Sequence, residues 1–75
     1  MKIIKAAAAV LNQTPMAWEA NQANIIGAIR AARERSVSIL CLPELCISGY
    51  GCEDAFHSPG LQETSRQVLL EIANE

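Results

Sequence analysis

Val37-Ser38-Ile39-Leu40-Cys41-Leu42-Pro43-Glu44-Leu45 is an apolar run broken only by Ser38 and closed by a proline and an acid. A short continuous apolar run bounded by turn signals suits a strand buried on both faces, as in the interior of a parallel sheet. Pro43 has no N–H to give to a sheet ladder, so the strand must stop there. Glu44 is therefore delivered just past a strand's carboxyl end, the edge of an α/β sheet where ligands and catalytic groups collect. Taken alone, such an acid reads more readily as a surface carboxylate in the turn after the strand than as a catalytic group.

Outward from Glu44 the sequence carries more. Leu42-Pro43-Glu44-Leu45, followed by Gly49-Tyr50, resembles the first catalytic motif of the nitrilase (carbon–nitrogen hydrolase) superfamily. Gly51-Cys52-Glu53-Asp54-Ala55-Phe56 is similar to the continuation found in that superfamily's glutamine-dependent, NAD-synthesising branch. Leu11-Asn12-Gln13-Thr14-Pro15, with Trp18 and Asn21, fits the same family's first strand, loop and helix. The resemblance runs through nearly all of the 75 residues, and those would be the first third or less of such a domain.

Composition narrows the class from another side. Apolar residues make up 51% and charged residues 19%, an ordinary globular balance. With net charge −2 and no basic stripe, nucleic acid is not an expected partner. No apolar run reaches the ~18 residues of a membrane span, so no membrane is expected either. The start, Met1 to Leu11, has the basic end and apolar stretch of an export signal, but Asn12-Gln13-Thr14-Pro15 makes a poor cleavage site. Three cysteines, an odd number, point to free thiols in a reducing cytoplasm.

Ile3 to Leu11 gives conflicting local evidence. Ala6 to Ala9 favour a helix by propensity, whereas near-continuous apolarity and the Asn-Gln-Thr-Pro stop favour a buried strand. The family resemblance decides for the strand, over which small alanines would let a helix pack closely. From Trp18 to Arg35, Ile25, Ile29 and Ala32 fall on one helical face with Trp18 and Gln22 continuing the row. Glu19 begins that helix and Arg30, Arg33 and Arg35 end it, the order the helix dipole prefers. The arginines read as a solvated helix end rather than an anion site. Ser58 as N-cap and Pro59 at the first position open a second helix, with Leu61, Ser65, Val68, Leu69 and Ile72 on one face. The expected architecture is α/β, one undivided βαβα unit over residues 1–75. By resemblance it forms the N-terminal segment of an α-β-β-α sandwich. Two parallel strands would leave a sheet edge open and a face uncovered, so the segment looks incomplete by itself.

The resemblance assigns Glu44 the general base of a Glu-Lys-Cys triad. A carboxylate beside a thiol takes its proton as sulfur attacks an amide carbon. A lysine then stabilises the oxyanion, and the same Glu activates the water that hydrolyses the thioester. Lys2 and Lys5 cannot be that lysine: Lys5 starts the first strand, roughly 20 Å from a residue that follows the end of the second. The triad lysine and cysteine are expected beyond residue 75, leaving residues 1–75 inactive by themselves. Cys41 reads as core, Cys46 stands two residues from Glu44, and Cys52 lies in the glycine loop. None is expected to be the nucleophile. Cys41, Cys46, Cys52 and His57 have the ligand types of a structural zinc, but their spacings are wide and one lies in a strand, so no metal is expected here. Tyr50 either lines a substrate pocket or packs beneath its loop. Asn12, ending the first strand on the sheet edge of Glu44, is a candidate to support it. Glu53 and Asp54 read as a short helix start, with only a weak hint of a metal.

Two functions from different classes follow. The resemblance implies glutamine hydrolysis that hands ammonia to a synthetase domain, which amidates nicotinic acid adenine dinucleotide with ATP and magnesium; glutamine, the rest of the amidase domain, the synthetase domain and further copies of the parent chain would be its partners. A free-standing amidase acting on another small amide is the nearest alternative. The rival class is a small non-catalytic α/β binding module.

Overall fold

In the computed structural model, which describes residues 3–75 apart from the side chain of Asp54, the elements run β1 (Ala6–Ala8), α1 (Trp18–Glu34), β2 (Ile39–Cys41), a short 3-10 helix (Glu53–His57) and α2 (Pro59–Ala73). Lys2 lies outside the described residues. The alanine segment is a strand. Four alanines are too few to nucleate a helix by themselves, and β2 offers their backbone a ladder. The pairing is parallel, with Ala6 opposite Ile39, Ala7 opposite Leu40 and Ala8 opposite Cys41. Ser38 N–H donates to the Lys5 carbonyl at 2.8 Å, and Ala9 N–H to the Cys41 carbonyl at 3.0 Å.

Both strands are shorter than the apolar runs Ile3–Leu11 and Val37–Leu42 predict. β2 stops at Cys41, two residues before the proline that has no N–H to offer, and β1 has no partner to follow further. The expectation of burial on both faces also fails for this segment. Exposure alternates along β2: Ile39 is 59% exposed and Cys41 is exposed, while Leu40 between them is half-buried. Leu40 and Ala7 face α1, where they line a narrow gap of about 230 Å³ with Ala28, Ala31 and Ala32. The opposite face of the pair carries Ile39 and Cys41, and Val10, just past the end of β1, is 98% exposed. One helix covers one face, and no described element covers the other.

The core accordingly sits between the two helices. Ile25, Val68 and Ile72 are buried together, and Leu11, Trp18, Ile29, Leu42, Cys46 and Ile47 pack against them. Leu11 follows β1 and Leu42, Cys46 and Ile47 follow β2, so the loops leaving both strands are anchored on the α1–α2 seam. In α2 the buried residues are Leu61, Val68 and Ile72. Leu69 is 54% exposed, because at 3.6 residues per turn it falls beside the stripe that Leu61, Val68 and Ile72 define. Ser58 is the N-cap residue in extended conformation with Pro59 next, as expected, although its side chain makes no capping bond.

At its carboxyl end α1 is closed by Ser36 in the left-handed region (φ 59°) and by Lys5, whose Nζ donates to the Arg35 carbonyl at 2.7 Å. Arg30 pairs with the Glu75 carboxylate at 2.9 Å, and the Arg33 guanidinium donates to the Glu75 carbonyl. These are exposed contacts between helix ends, each worth at most about 1 kcal/mol.

Candidate active site

Glu44 opens the turn that leaves β2, and its side chain is exposed at the carboxyl edge of the two-strand sheet. Asn12, past the end of β1, is exposed at the same edge, since the strands are parallel. Lys5 belongs to the opposite edge, where its ammonium is spent on the end of α1. Among the described residues, the Glu44 carboxylate has no ion-pair partner.

The backbone behind Glu44 is held in an uncommon shape. Leu45 adopts φ 57°, a left-handed conformation that costs a bulky residue about 1–3 kcal/mol and persists only where the surroundings enforce it. What enforces it is visible in the next five carbonyls, each of which receives a hydrogen bond. The Leu45 carbonyl accepts from Gly49 N–H at 2.9 Å, closing the turn on itself. The Cys46 carbonyl accepts from Gln13 Nε2 at 2.7 Å, and the Ile47 carbonyl from Asn21 Nδ2 at 3.1 Å. The Ser48 carbonyl accepts from Met16 N–H at 2.6 Å. Finally, the Cys52 thiol lies 3.3 Å from the Ser48 carbonyl and 3.2 Å from that of Gly49. Three of these donors come from the loop after β1 and the first turn of α1.

Gly49 is where the two loops touch. Its φ is +91°, and a Cβ there would stand 2.7 Å from Pro15 Cα, Pro15 N and the Thr14 carbonyl carbon. Only glycine satisfies both the angle and the approach. Tyr50, next along, is 71% exposed, so its ring does not pack beneath the loop. Between this turn and α2 lies an open cleft of about 270 Å³ lined by Pro43, Leu45, Cys46, Ile47, Ser48 and Ser65.

The cysteines separate by environment. Cys41 is exposed on the bare face of the sheet rather than in a core, as β2's alternation requires. Burial pushes the Cys46 thiol above the ordinary thiol range, against a smaller lowering by a backbone hydrogen bond, so it holds its proton near neutral pH and is a poor nucleophile. Cys52 is buried, not partly exposed, and its thiol is engaged with the two carbonyls. Among the described residues, no three His, Cys, Asp or Glu side chains converge as a metal site would require.

The carbon-nitrogen hydrolase family model matches residues 5–75. The chain belongs to that family. A crystal structure of a glutamine-dependent NAD(+) synthetase from Cytophaga hutchinsonii superposes with a TM-score of 0.91 at 51% identity, over 93% of this chain and 12% of that one. The glutamine-dependent NAD(+) synthetase of Drosophila melanogaster is 36% identical over 69 residues, 92% of this chain and 9% of its own length. That of Arabidopsis thaliana is 43% identical over 56 residues, 75% of this chain and 8% of its own. The carbon-nitrogen hydrolase segment described here thus spans about a tenth of the length of these curated relatives. Its βαβα order with a parallel pair is that of the nitrilase-type N-terminal segment.

Sequence reasoning singled out Glu44, Tyr50 and Asn12 as candidates and named Gln13 and Asn21 only as part of the family resemblance, not as braces of the turn. Among the described residues Asn12 makes none of the bonds to the Glu44 turn; the side-chain amides that do are those of Gln13 and Asn21. Asn21 is 1% exposed. Its Oδ1 accepts from Thr14 N–H at 3.0 Å and its Nδ2 donates to the Thr14 carbonyl at 2.8 Å as well as to Ile47. The signal was present: Asn21 stands four residues before Ile25, on the buried stripe of an otherwise apolar helix face. A polar residue there must find partners.

Proposed function

We propose that this segment carries the general base of a glutamine-hydrolysing domain whose ammonia serves the ATP-dependent amidation of nicotinic acid adenine dinucleotide to NAD. The observation that carries the reading is Glu44 itself, exposed at the carboxyl edge of a parallel pair on a turn whose every carbonyl from Leu45 to Gly49 is tied. Likeness to glutamine-dependent NAD(+) synthetases supports the substrate and the product. In this mechanism Glu44 removes the proton of a cysteine thiol as sulfur adds to the side-chain amide carbon of glutamine. Ammonia leaves with that proton, a lysine holds the oxyanion, and Glu44 then takes a proton from the water that splits the thioester into glutamate and free thiol. The lysine and cysteine come from outside residues 1–75, so the segment alone is inactive. Tyr50 lines the substrate pocket or the passage from it. ATP and magnesium belong to the synthetase domain, and the parent protein is a cytoplasmic homo-oligomer.

Comparison of nitrogen donors in the parent protein tests this. Glu44→Gln removes a general base, a loss of typically 10²–10⁴-fold, and triad members act as a unit, which deepens it. Glutamine-driven synthesis should nearly vanish while ammonium-driven synthesis persists. Near wild-type glutamine use by Glu44→Gln would refute the reading.

A further inference from the structure

Resting on that reading of Glu44, we infer that Asn21 is a positioning residue for the reaction, acting on the glutamate through the backbone of its turn, with Gln13 as its partner in the task. Asn21 satisfies its whole side chain in one place: an acceptor to Thr14 N–H, one donor to the Thr14 carbonyl and one to the Ile47 carbonyl. Gln13 Nε2 donates to the Cys46 carbonyl at 2.7 Å and to the Asn21 carbonyl at 3.1 Å, while Gln13 Oε1 accepts from Asn24 Nδ2 at 2.8 Å. Two side-chain amides therefore rivet the second and third residues after Glu44 to the rigid first turns of α1. The need for such rivets is written in Leu45, whose left-handed φ of 57° directly follows Glu44. A free turn would relax to a more common backbone conformation and carry the carboxylate away from its direction. No described residue holds the carboxylate by an ion pair, so its aim comes from the backbone.

The consequence is a division of effect. Misplacing a reacting group by about 1 Å costs on the order of 10²-fold, so Asn21→Ala in the parent protein should lower kcat of glutamine-driven synthesis by about that factor. KM for glutamine and the ammonium-driven rate of the same sample should stay near wild type. Gln13→Ala, at a half-buried position with only the Cys46 tether at stake in the turn, should act in the same direction by a smaller factor. It decides the question if Asn21→Ala does not fold. A double-mutant cycle separates aiming from general damage. If Asn21 acts through Glu44, then Asn21→Ala adds nothing to the residual glutamine-driven rate of Glu44→Gln. Multiplying losses would overturn the inference, as would single variants with kcat within about twofold of wild type. Near wild-type glutamine use by Glu44→Gln would instead overturn the general-base reading itself.

Discussion

Replacing Gly49 by alanine tests whether the two loops at the sheet edge form one unit. The new methyl would meet three backbone atoms at 2.7 Å, on Thr14 and Pro15, and a backbone cannot swing aside as a side-chain tip can. The left-handed φ of +91° adds a penalty of roughly 1–2 kcal/mol for a residue with a Cβ. Forcing a methyl into packed surroundings adds about 1–3 kcal/mol. Relief requires parting the loops, which breaks the 2.6 Å bond from Met16 N–H to the Ser48 carbonyl. The sum, about 2–5 kcal/mol, is a large share of the 5–15 kcal/mol that typically holds a domain folded. Two other glycines serve as controls. At Gly51 the nearest atom to a Cβ is Pro15 Cγ at 3.2 Å, a side-chain atom, so Gly51→Ala should cost under about 1 kcal/mol. At Gly27, inside α1, nothing lies within 4 Å, and alanine should stabilise by about 0.5–1 kcal/mol. The thermal transition is followed by calorimetry of the parent protein. Midpoints should fall in the order Gly27→Ala, wild type, Gly51→Ala, Gly49→Ala, with the last lowered by at least about 4 °C. A Gly49→Ala midpoint within about 2 °C of wild type would refute the contact between the loops.

Three further outcomes are expected. Cys46 should alkylate more slowly than an ordinary thiol at pH 8. Because its thiol is raised in the folded chain, the unfolded chain ionises first, so stability should decline as pH climbs past the ordinary value of 9.0; thiol-reaction rates and urea midpoints at pH 8 and pH 10 check both. In the parent protein, Cys46→Ala should keep most glutamine-driven activity and Cys52→Ala should lower it only modestly, through the lost contacts to the Ser48 and Gly49 carbonyls, since neither thiol is expected to be the nucleophile; near-complete loss with ammonium-driven synthesis intact would reopen that assignment. The isolated 75-residue chain, with Ile39, Val10 and Ile4 exposed on the sheet, should melt broadly and self-associate at micromolar concentration, and a sharp two-state calorimetric transition of a monomer would contradict this.

What the sequence revealed, and what it hid, divides along physical lines. Helix α1 was legible within a residue because its apolar period is local. Glu44 was legible because Pro43 must end a strand. Ala6–Ala8 was not decidable by local rules, for alanine's propensity and the partner strand pull in opposite directions, and the ladder won. The run at Ile39–Leu42 was over-read: continuous apolarity records the burial a strand needs in its whole domain, whereas this segment supplies a helix for one face alone. Tyr50, read equally as pocket-lining or as packed under its loop, is exposed among the described residues. The helical period marked Asn21 as buried, but its partner and that of Gln13 escaped, because hydrogen bonds such as Gln13 to Cys46 and Asn21 to Ile47 join residues far apart in sequence.

The frame behind Glu44 is built almost wholly from uncharged groups: two side-chain amides, peptide N–H groups and carbonyls, with the Cys52 thiol its one titratable member. Neutral dipoles at contact distance neither gain nor lose protons between pH 4 and pH 8, and the ions of ordinary buffers screen them little. The turn should therefore keep its shape across that interval. Neither mild acid nor added salt should loosen the bonds that aim the residue after β2.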